Sequence, residues 1–250
     1  MTDFPPRSPA AGLELAPGEI HVWRVPLDPA PEQVESLGRS LSADEWQRAH
    51  RFRFDRHRRQ YVVGRGALRT LTAAYLGRRP EELQFSYGPR GKPFLAPPFD
   101  SLDPRGLQLN LSNSNELALV GFVLGREIGV DVEYLRPMND CEEIAERFFS
   151  ESERQTLRTI PFPAKQEAFF NCWTRKEAYL KAVGEGLAAP LDSFDVTLAM
   201  GEPPRMLTLK GDATRAAGWF FHHLRPAADY LGAVAIEGGT WEVRTWTFVA

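Results

Sequence analysis

The stretch Glu167–Leu187, EAFFNCWTRKEAYLKAVGEGL, constrains the fold more than any other part of the chain. Phe169, Cys172, Trp173, Leu180 and Val183 recur at helical spacing, the stripe of a helix lying on a core. Gly184 and Gly186 supply a stop. Glu177 and Lys181 are four apart, so they share one flank of that helix beside the apolar stripe. Lys176 projects into the stripe itself, where an ammonium needs a partner or a route to water. Taken alone, Glu177 and Lys181 read as a surface ion pair worth roughly a few tenths of a kcal/mol. The rest of the chain gives them more to do.

A chain of 250 residues can bury one large core or two small ones. Its formal net charge of −3 argues against binding nucleic acid by bulk electrostatics. Cys141 and Cys172 fit no disulfide framework or metal spacing and read as reduced thiols, which suggests the cytoplasm. No apolar run is long enough for a bilayer, and no membrane partner is expected. The start, MTDFPPRSPAAG, lacks the layout of a secretion signal, and residues 1–17 read as a flexible tail.

Glu19–Pro26 alternates like a strand, and Pro31–Leu41 looks helical. Ser42-Ala43-Asp44-Glu45 is a capping box that opens another helix. From Arg48 to Arg79 there are ten arginines and one acid, Asp55. Within that stretch Tyr61–Leu76 is helical, with Val62, Leu68, Leu71 and Tyr75 available for burial. The arginines form a solvated face, or an anion site if phosphate chemistry appears elsewhere. Gly88-Pro89-Arg90-Gly91-Lys92 is turn chemistry that delivers a lysine, too short for a Walker loop.

Leu107–Asn113 alternates, with Gln108, Asn110 and Ser112 on the polar side, and Leu117–Val123 is a buried strand. After a turn at Gly125-Arg126, Ile128–Tyr134 places Gly129, Asp131 and Glu133 on one face. Two carboxylates so close repel unless a cation joins them or one takes a proton. Such hard oxygen ligands suit Mg²⁺. Cys141–Phe149 reads as a short helix, Ser150–Glu153 as a second capping box, and Pro161 and Pro163 as a break. Strands follow at Phe194–Ala199, Arg205–Lys210, Trp219–Leu224, Tyr230–Ile236 and Trp241–Val249. The fold class is α+β, with an N-terminal half over 18–125 and a C-terminal half over 126–250 that mix strands and helices in similar order. Asp131, Glu133 and Glu177 together would form a three-carboxylate cage beside Lys181. With Lys92 and the arginines, that set suits transfer at a diphosphate: metal on the phosphates, a carboxylate taking a proton, a lysine at the leaving group.

Two blocks carry a resemblance. Gly129-Val-Asp-Val-Glu133 and Trp173-Thr-Arg-Lys-Glu-Ala-Tyr-Leu-Lys-Ala-Val-Gly-Glu-Gly-Leu187 together resemble the paired signature of the 4′-phosphopantetheinyl transferases, in the larger, monomeric branch that activates surfactin-synthetase-type peptide synthetases. Gly91-Lys92-Pro93 and Asn110-Leu-Ser112 resemble two upstream motifs in the right order, and Phe148-Phe149-Ser150 and Pro190-Leu-Asp-Ser-Phe194 also fit. The likeness runs from about Ser42 to about Leu198. It implies two similar α+β halves, each a small antiparallel sheet with helices, related by a pseudo-twofold with coenzyme A and Mg²⁺ in the cleft between. It implies transfer of the phosphopantetheine arm to a serine of a carrier protein, with adenosine 3′,5′-bisphosphate leaving. Asp131, Glu133 and Glu177 match the metal acids. Glu177 matches the base, and Lys181 the lysine at the diphosphate. Lys92, Pro93 and Ser112 match coenzyme A contacts, and Arg48 a basic residue near the nucleotide. Where the family usually has histidine after the serine of Asn-x-Ser, this chain has Asn113, which donates a hydrogen bond but carries no charge. Two alternatives are a metal-dependent nuclease and a non-catalytic coenzyme A-binding module.

Overall fold

A computed structural model describes residues 2–9, 12–89, 91–97, 106–184 and 190–250. The first part of the chain runs β1 (Pro6–Arg7), β2 (Glu19–Pro26), α1 (Pro31–Gly38), α2 (Ala43–His50), α3 (Asp55–Leu76), β3 (Phe85–Tyr87), β4 (Pro93–Leu95), β5 (Leu107–Ser114) and β6 (Leu117–Leu124). The second runs β7 (Ile128–Tyr134), α4 (Cys141–Phe148), α5 (Glu151–Thr159), α6 (Phe162–Val183), β8 (Phe194–Val196), β9 (Met206–Leu209), α7 (Ala213–Ala216), β10 (Trp219–Leu224), β11 (Tyr230–Glu237) and β12 (Glu242–Phe248). A mixed α+β architecture results. From β2 and again from β7, one strand leads into three helices, a short two-stranded piece and a long antiparallel hairpin. β2–β6–β5 and β7–β11–β10 are both antiparallel in the same spatial order.

Strand alternation builds four layers from these pieces. Trp23 and Val25 of β2, with Ala118, Val120 and Phe122 of β6, meet Val63, Ala67, Leu68 and Leu71 of α3. The opposite faces, Ile20, Val22, Leu119 and Val123, meet Ile128, Val130 and Val132 of β7 and Val234 and Ile236 of β11. Leu231, Ala233 and Ala235 on the far side of β11 meet Phe169, Cys172 and Leu180 of α6. The order is helix, sheet, sheet, helix.

Several expected boundaries move. The first residues do not form a loose tail: Phe4, Leu13 and Leu15 are buried, and β1 pairs with β12. β12 itself leaves the second part of the chain and runs parallel to β2, so 126–250 is not closed on itself. β1 covers the outer edge of β12, Phe4 packs with Ile20 and Val22, and Leu13 and Leu15 join the core of Trp23 and Val25, contacts that no local pattern announces. α3 begins at Asp55, so Arg56, Arg58 and Arg59 are its first turns rather than a loop before it. α6 begins at Phe162, with Pro163 in the first turn, where its missing N–H has no bond to lose. Gly184 ends α6 in the left-handed region at φ 73°, whereas Gly186 and Leu187 lie outside the described residues.

Lys176 finds its partner in the second capping box. Its ammonium lies 2.8 Å from Glu153, both side chains 1% exposed, and bonds the carbonyls of Leu191 and Phe194. The first capping box does the same: Glu45 is bonded by Arg69 of α3 at 2.6 Å. In each half a helix-opening glutamate is thus the counter-ion of the long helix. Removing one partner of such a buried pair costs about 3–5 kcal/mol, because the other charge is stranded.

Candidate functional site

The site forms where the edges of the two sheets meet. β5 ends one sheet and β7 the other. They are joined by side chains instead of a backbone ladder. The Val130 amide donates to Asn110 Oδ1 at 2.9 Å, and the Tyr134 amide to Ser114 Oγ at 3.1 Å. Between them Ser112 Oγ donates to Asp131 at 2.9 Å, and Ser114 Oγ to Glu133 at 2.8 Å. The polar alternation of β5 thus satisfies the free edge of β7 and fixes its two acids.

α6 crosses the acid-bearing face of β7, and Gly129 sets how close it comes. A Cβ at that position would stand 1.8 Å from the carbonyl oxygen of Ala178 and 2.5 Å from the amide nitrogen of Ala182. Only hydrogen fits between the two backbones. Ala178 and Ala182 follow Glu177 and Lys181 directly in the chain, so this approach carries both of those side chains toward Asp131.

Lys181 Nζ donates to Asp131 Oδ1 at 2.6 Å and to Ser112 Oγ at 2.7 Å. Asp131 is 3% exposed, and its Oδ2 has no hydrogen-bond partner among the described residues. Burial pushes its carboxyl above the usual range, with the Lys181 ammonium acting the other way. Glu133 is raised by burial and by the charge of Asp131. Glu177 is pushed up to about 7, first by burial, then by Asp131, with a further contribution from Glu133. Its Oε1 is likewise buried without a partner among the described residues. The three acids therefore share one electrostatic environment. As they stand they do not close into a metal-ligand cluster among the described residues. Asp131 Oδ1 is turned to Lys181 and Ser112, and Glu133 to Ser114, as repelling carboxylates would take the nearest donors.

A cavity of about 490 Å³ opens beside this group, lined by Arg48, Tyr61, Arg65, Tyr87, Pro93 and Asn113. Ser114 belongs to its wall and also bonds Glu133, so cavity and acids are contiguous. Of the residues expected from the sequence, Arg48, Pro93 and Asn113 line the cavity. Ser112 lies inward, between Lys181 and Asp131. Lys92 does not line the cavity; its ammonium is bonded to Glu127 and to main-chain carbonyls. Arg56, which the sequence included only within the Arg48–Arg79 run, also lines it, as do His57, Tyr61 and Tyr87, which the sequence did not mark as site residues. The run of arginines was the available signal, but it does not say which of them turn inward. Arg65 is buried and bonded to Glu45 and to the Tyr87 hydroxyl, so it braces the wall, sharing the one carboxylate with Arg69.

Comparison with known proteins gives the chain a family. Residues 26–122 match the family model described as 4′-phosphopantetheinyl transferase, N-terminal, and residues 127–235 match that of the 4′-phosphopantetheinyl transferase superfamily. The chain is 42% identical over 236 residues to the 4′-phosphopantetheinyl transferase HetI of Nostoc sp., covering 94% of this chain and 95% of that one. It is 28% identical to the 4′-phosphopantetheinyl transferase Sfp of Bacillus subtilis, over 67% of this chain and 70% of that one. The Thermotoga maritima holo-[acyl-carrier-protein] synthase structure covers 45% of this chain and 62% of its own, at 22% identity and a TM-score of 0.36, a partial likeness on which nothing further rests. The chain belongs to the 4′-phosphopantetheinyl transferase superfamily. Within it the chain is an enzyme of the larger, Sfp-like type, and the nuclease alternative falls away. Among the described residues no helix is long and apolar enough to cross a membrane.

Proposed function

We propose that the chain moves the 4′-phosphopantetheine arm of coenzyme A onto a serine hydroxyl of an apo carrier protein, with Mg²⁺, and releases adenosine 3′,5′-bisphosphate. One observation carries the reading: Asp131 Oδ2 and Glu177 Oε1, from different elements, are buried without hydrogen-bond partners among the described residues, in a group with more carboxylates than cations. Hard, unpartnered oxygens in an acidic site fit a divalent cation, and Asp131, Glu133 and Glu177 would hold it. When bound, such an ion neutralises and orients the diphosphate oxygens.

The chain's own groups account for the remaining steps. Arg48 and Arg56 offer charge to the nucleotide phosphates, His57 offers a ring N–H, and Pro93 and Asn113 border the same cavity. Glu177 takes the proton of the serine hydroxyl as its oxygen bonds to the phosphorus that bears the pantetheine arm. The bond from that phosphorus to the bridging oxygen breaks. Lys181, held by Asp131 and Ser112, balances the charge that collects on the departing phosphate. The recurrent strand, helix and hairpin order supports two halves related by a pseudo-twofold, with the site between them. A monomer in the cytoplasm belongs to the same reading.

Mass spectrometry of apo-carrier proteins incubated with coenzyme A and Mg²⁺ tests it. The expected product is one phosphopantetheine arm on one serine, with an equal amount of adenosine 3′,5′-bisphosphate. Coenzyme A bound with every carrier unmodified would identify a binding module instead.

A further inference from the structure

Lys92 runs beside the donor cavity without facing it. Gly91 and Pro93 line the cavity, and the side chain between them leaves on the other side. Its ammonium meets Glu127 Oε2 at 2.6 Å, the Lys181 carbonyl at 2.8 Å and the Ile128 carbonyl at 3.1 Å, with the Ala182 carbonyl farther off at 3.4 Å. An ammonium has three protons to donate and accepts nothing. All three are directed at protein oxygens, and none remains for a phosphate.

The identity of the acceptors gives the arrangement its meaning. Ile128 opens β7, the strand that carries Asp131. Lys181 is the residue whose own ammonium bonds Asp131. α6 ends at Val183, so these carbonyls belong to its last turn, where helix carbonyls lack partners and the dipole is negative. One cation thus clamps the start of the acid strand to the end of the lysine helix. The clamp is anchored in the segment whose neighbouring residues wall the cavity.

We propose that Lys92 is a positioning residue: it fixes Lys181 against Asp131 and couples that contact to the donor-cavity wall. This rests on the transferase reading above, and it gives the side chain a different task from the coenzyme A contact that the family resemblance implies. Loss of the clamp leaves the cavity cations in place and lets the last turn of α6 shift. The expected deficit is therefore in turnover and not in donor affinity.

Lys92→Met keeps the length of the side chain and removes the donors. Since a misplacement of about 1 Å near reacting groups costs up to about a hundredfold, kcat should fall about 10- to 100-fold. KM for coenzyme A and Kd for adenosine 3′,5′-bisphosphate should stay within about twofold, with unchanged salt dependence. Lys92→Arg, which can still donate to carbonyls, should recover part of the turnover. In hydrogen exchange, amides of 178–184 should open faster in Lys92→Met, with those of 48–61 unaltered. Nucleotide affinity and exchange need no turnover. A wild type that modifies no carrier would sink the transferase reading, and these two measurements would still decide the role of Lys92. Nucleotide binding weakened about tenfold or more, with exchange at 178–184 unaltered, would make Lys92 a phosphate ligand and overturn the proposal. Should the methionine variant fail to fold, Glu127→Ala removes one acceptor at an exposed site and must shift kcat and exchange in the same direction by a smaller amount.

Discussion

Glu177→Gln should make the metal-free protein more stable, at a pH that the structure sets. Its carboxyl is raised from 4.5 to about 7 by burial and by the charges of Asp131 and Glu133. An acid whose folded value is raised contributes nothing below its unfolded value, where both states hold the proton. Between about 4.5 and about 7 the unfolded chain releases its proton and the folded chain does not, so stability declines with rising pH. Above about 7 the full penalty is present. At about 1.4 kcal/mol per tenfold change in proton affinity, that penalty is at most about 3 kcal/mol. Glu177 is only partly buried, and solvent screening brings it to about 2 kcal/mol. Glutamine keeps the shape and removes the charge. Urea denaturation in excess chelator at pH 8 should therefore show the variant about 2 kcal/mol more stable, equivalent to about 4–8 °C in Tm for a chain of this size. At pH 4, below the unfolded value, the difference should nearly vanish. Mg²⁺ with coenzyme A should reverse the order at pH 8, because ligands that bind only the folded state stabilise the protein that holds them better. Equal stabilities at pH 8, or a variant less stable there than wild type, would refute the shared-charge account of the three acids.

Three further outcomes follow from the same geometry. Asp131→Asn keeps the bond from Ser112 and removes the charge opposite Lys181; turnover should fall at least about a hundredfold with the circular dichroism spectrum unchanged, and near-normal turnover would exclude Asp131 from the site. Gly129→Ala places a methyl group inside the α6 backbone, so it should destabilise by at least about 3 kcal/mol in denaturant titration, where a loss below about 1 kcal/mol would mean that α6 can move away from β7 at little cost. Asn113→His adds a group that can carry charge to the cavity wall and should raise the preference for coenzyme A over its 3′-dephospho form by about threefold or more; an unchanged ratio of kcat/KM would show that residue 113 does not sense that phosphate.

Much of this was legible where the physics is local. Alternation in Leu107–Asn113 and Ile128–Tyr134 gave the faces of β5 and β7, and the polar face of one does bond the acidic face of the other. The capping boxes at Ser42 and Ser150 open α2 and α5 as read. What the boxes could not reveal is that Glu45 and Glu153 also neutralise Arg69 and Lys176, since those contacts join separate elements. The path of β12 was hidden for the same reason: parallel pairing with β2 is settled by long-range topology. Lys92 was noticed as a lysine in a turn, but three of its acceptors are main-chain carbonyls, which have no signature in sequence. The similar order of strands and helices in the two parts of the chain was legible, but not how differently corresponding faces are used. The face of β2 toward α3 holds Trp23 and Val25 in a core, whereas the face of β7 toward α6 holds Asp131 and Glu133 in a site. The similar element order therefore comes with little likeness between the residues themselves.

The account depends most on a divalent ion held by acids from two elements beside the cavity. Anomalous diffraction from crystals grown with Mn²⁺ and coenzyme A tests this directly. The predicted result is one strong peak within coordination distance of Asp131, Glu133 and Glu177, beside the diphosphate. A fully occupied coenzyme A with no peak there, or with the ion bound elsewhere, would contradict it.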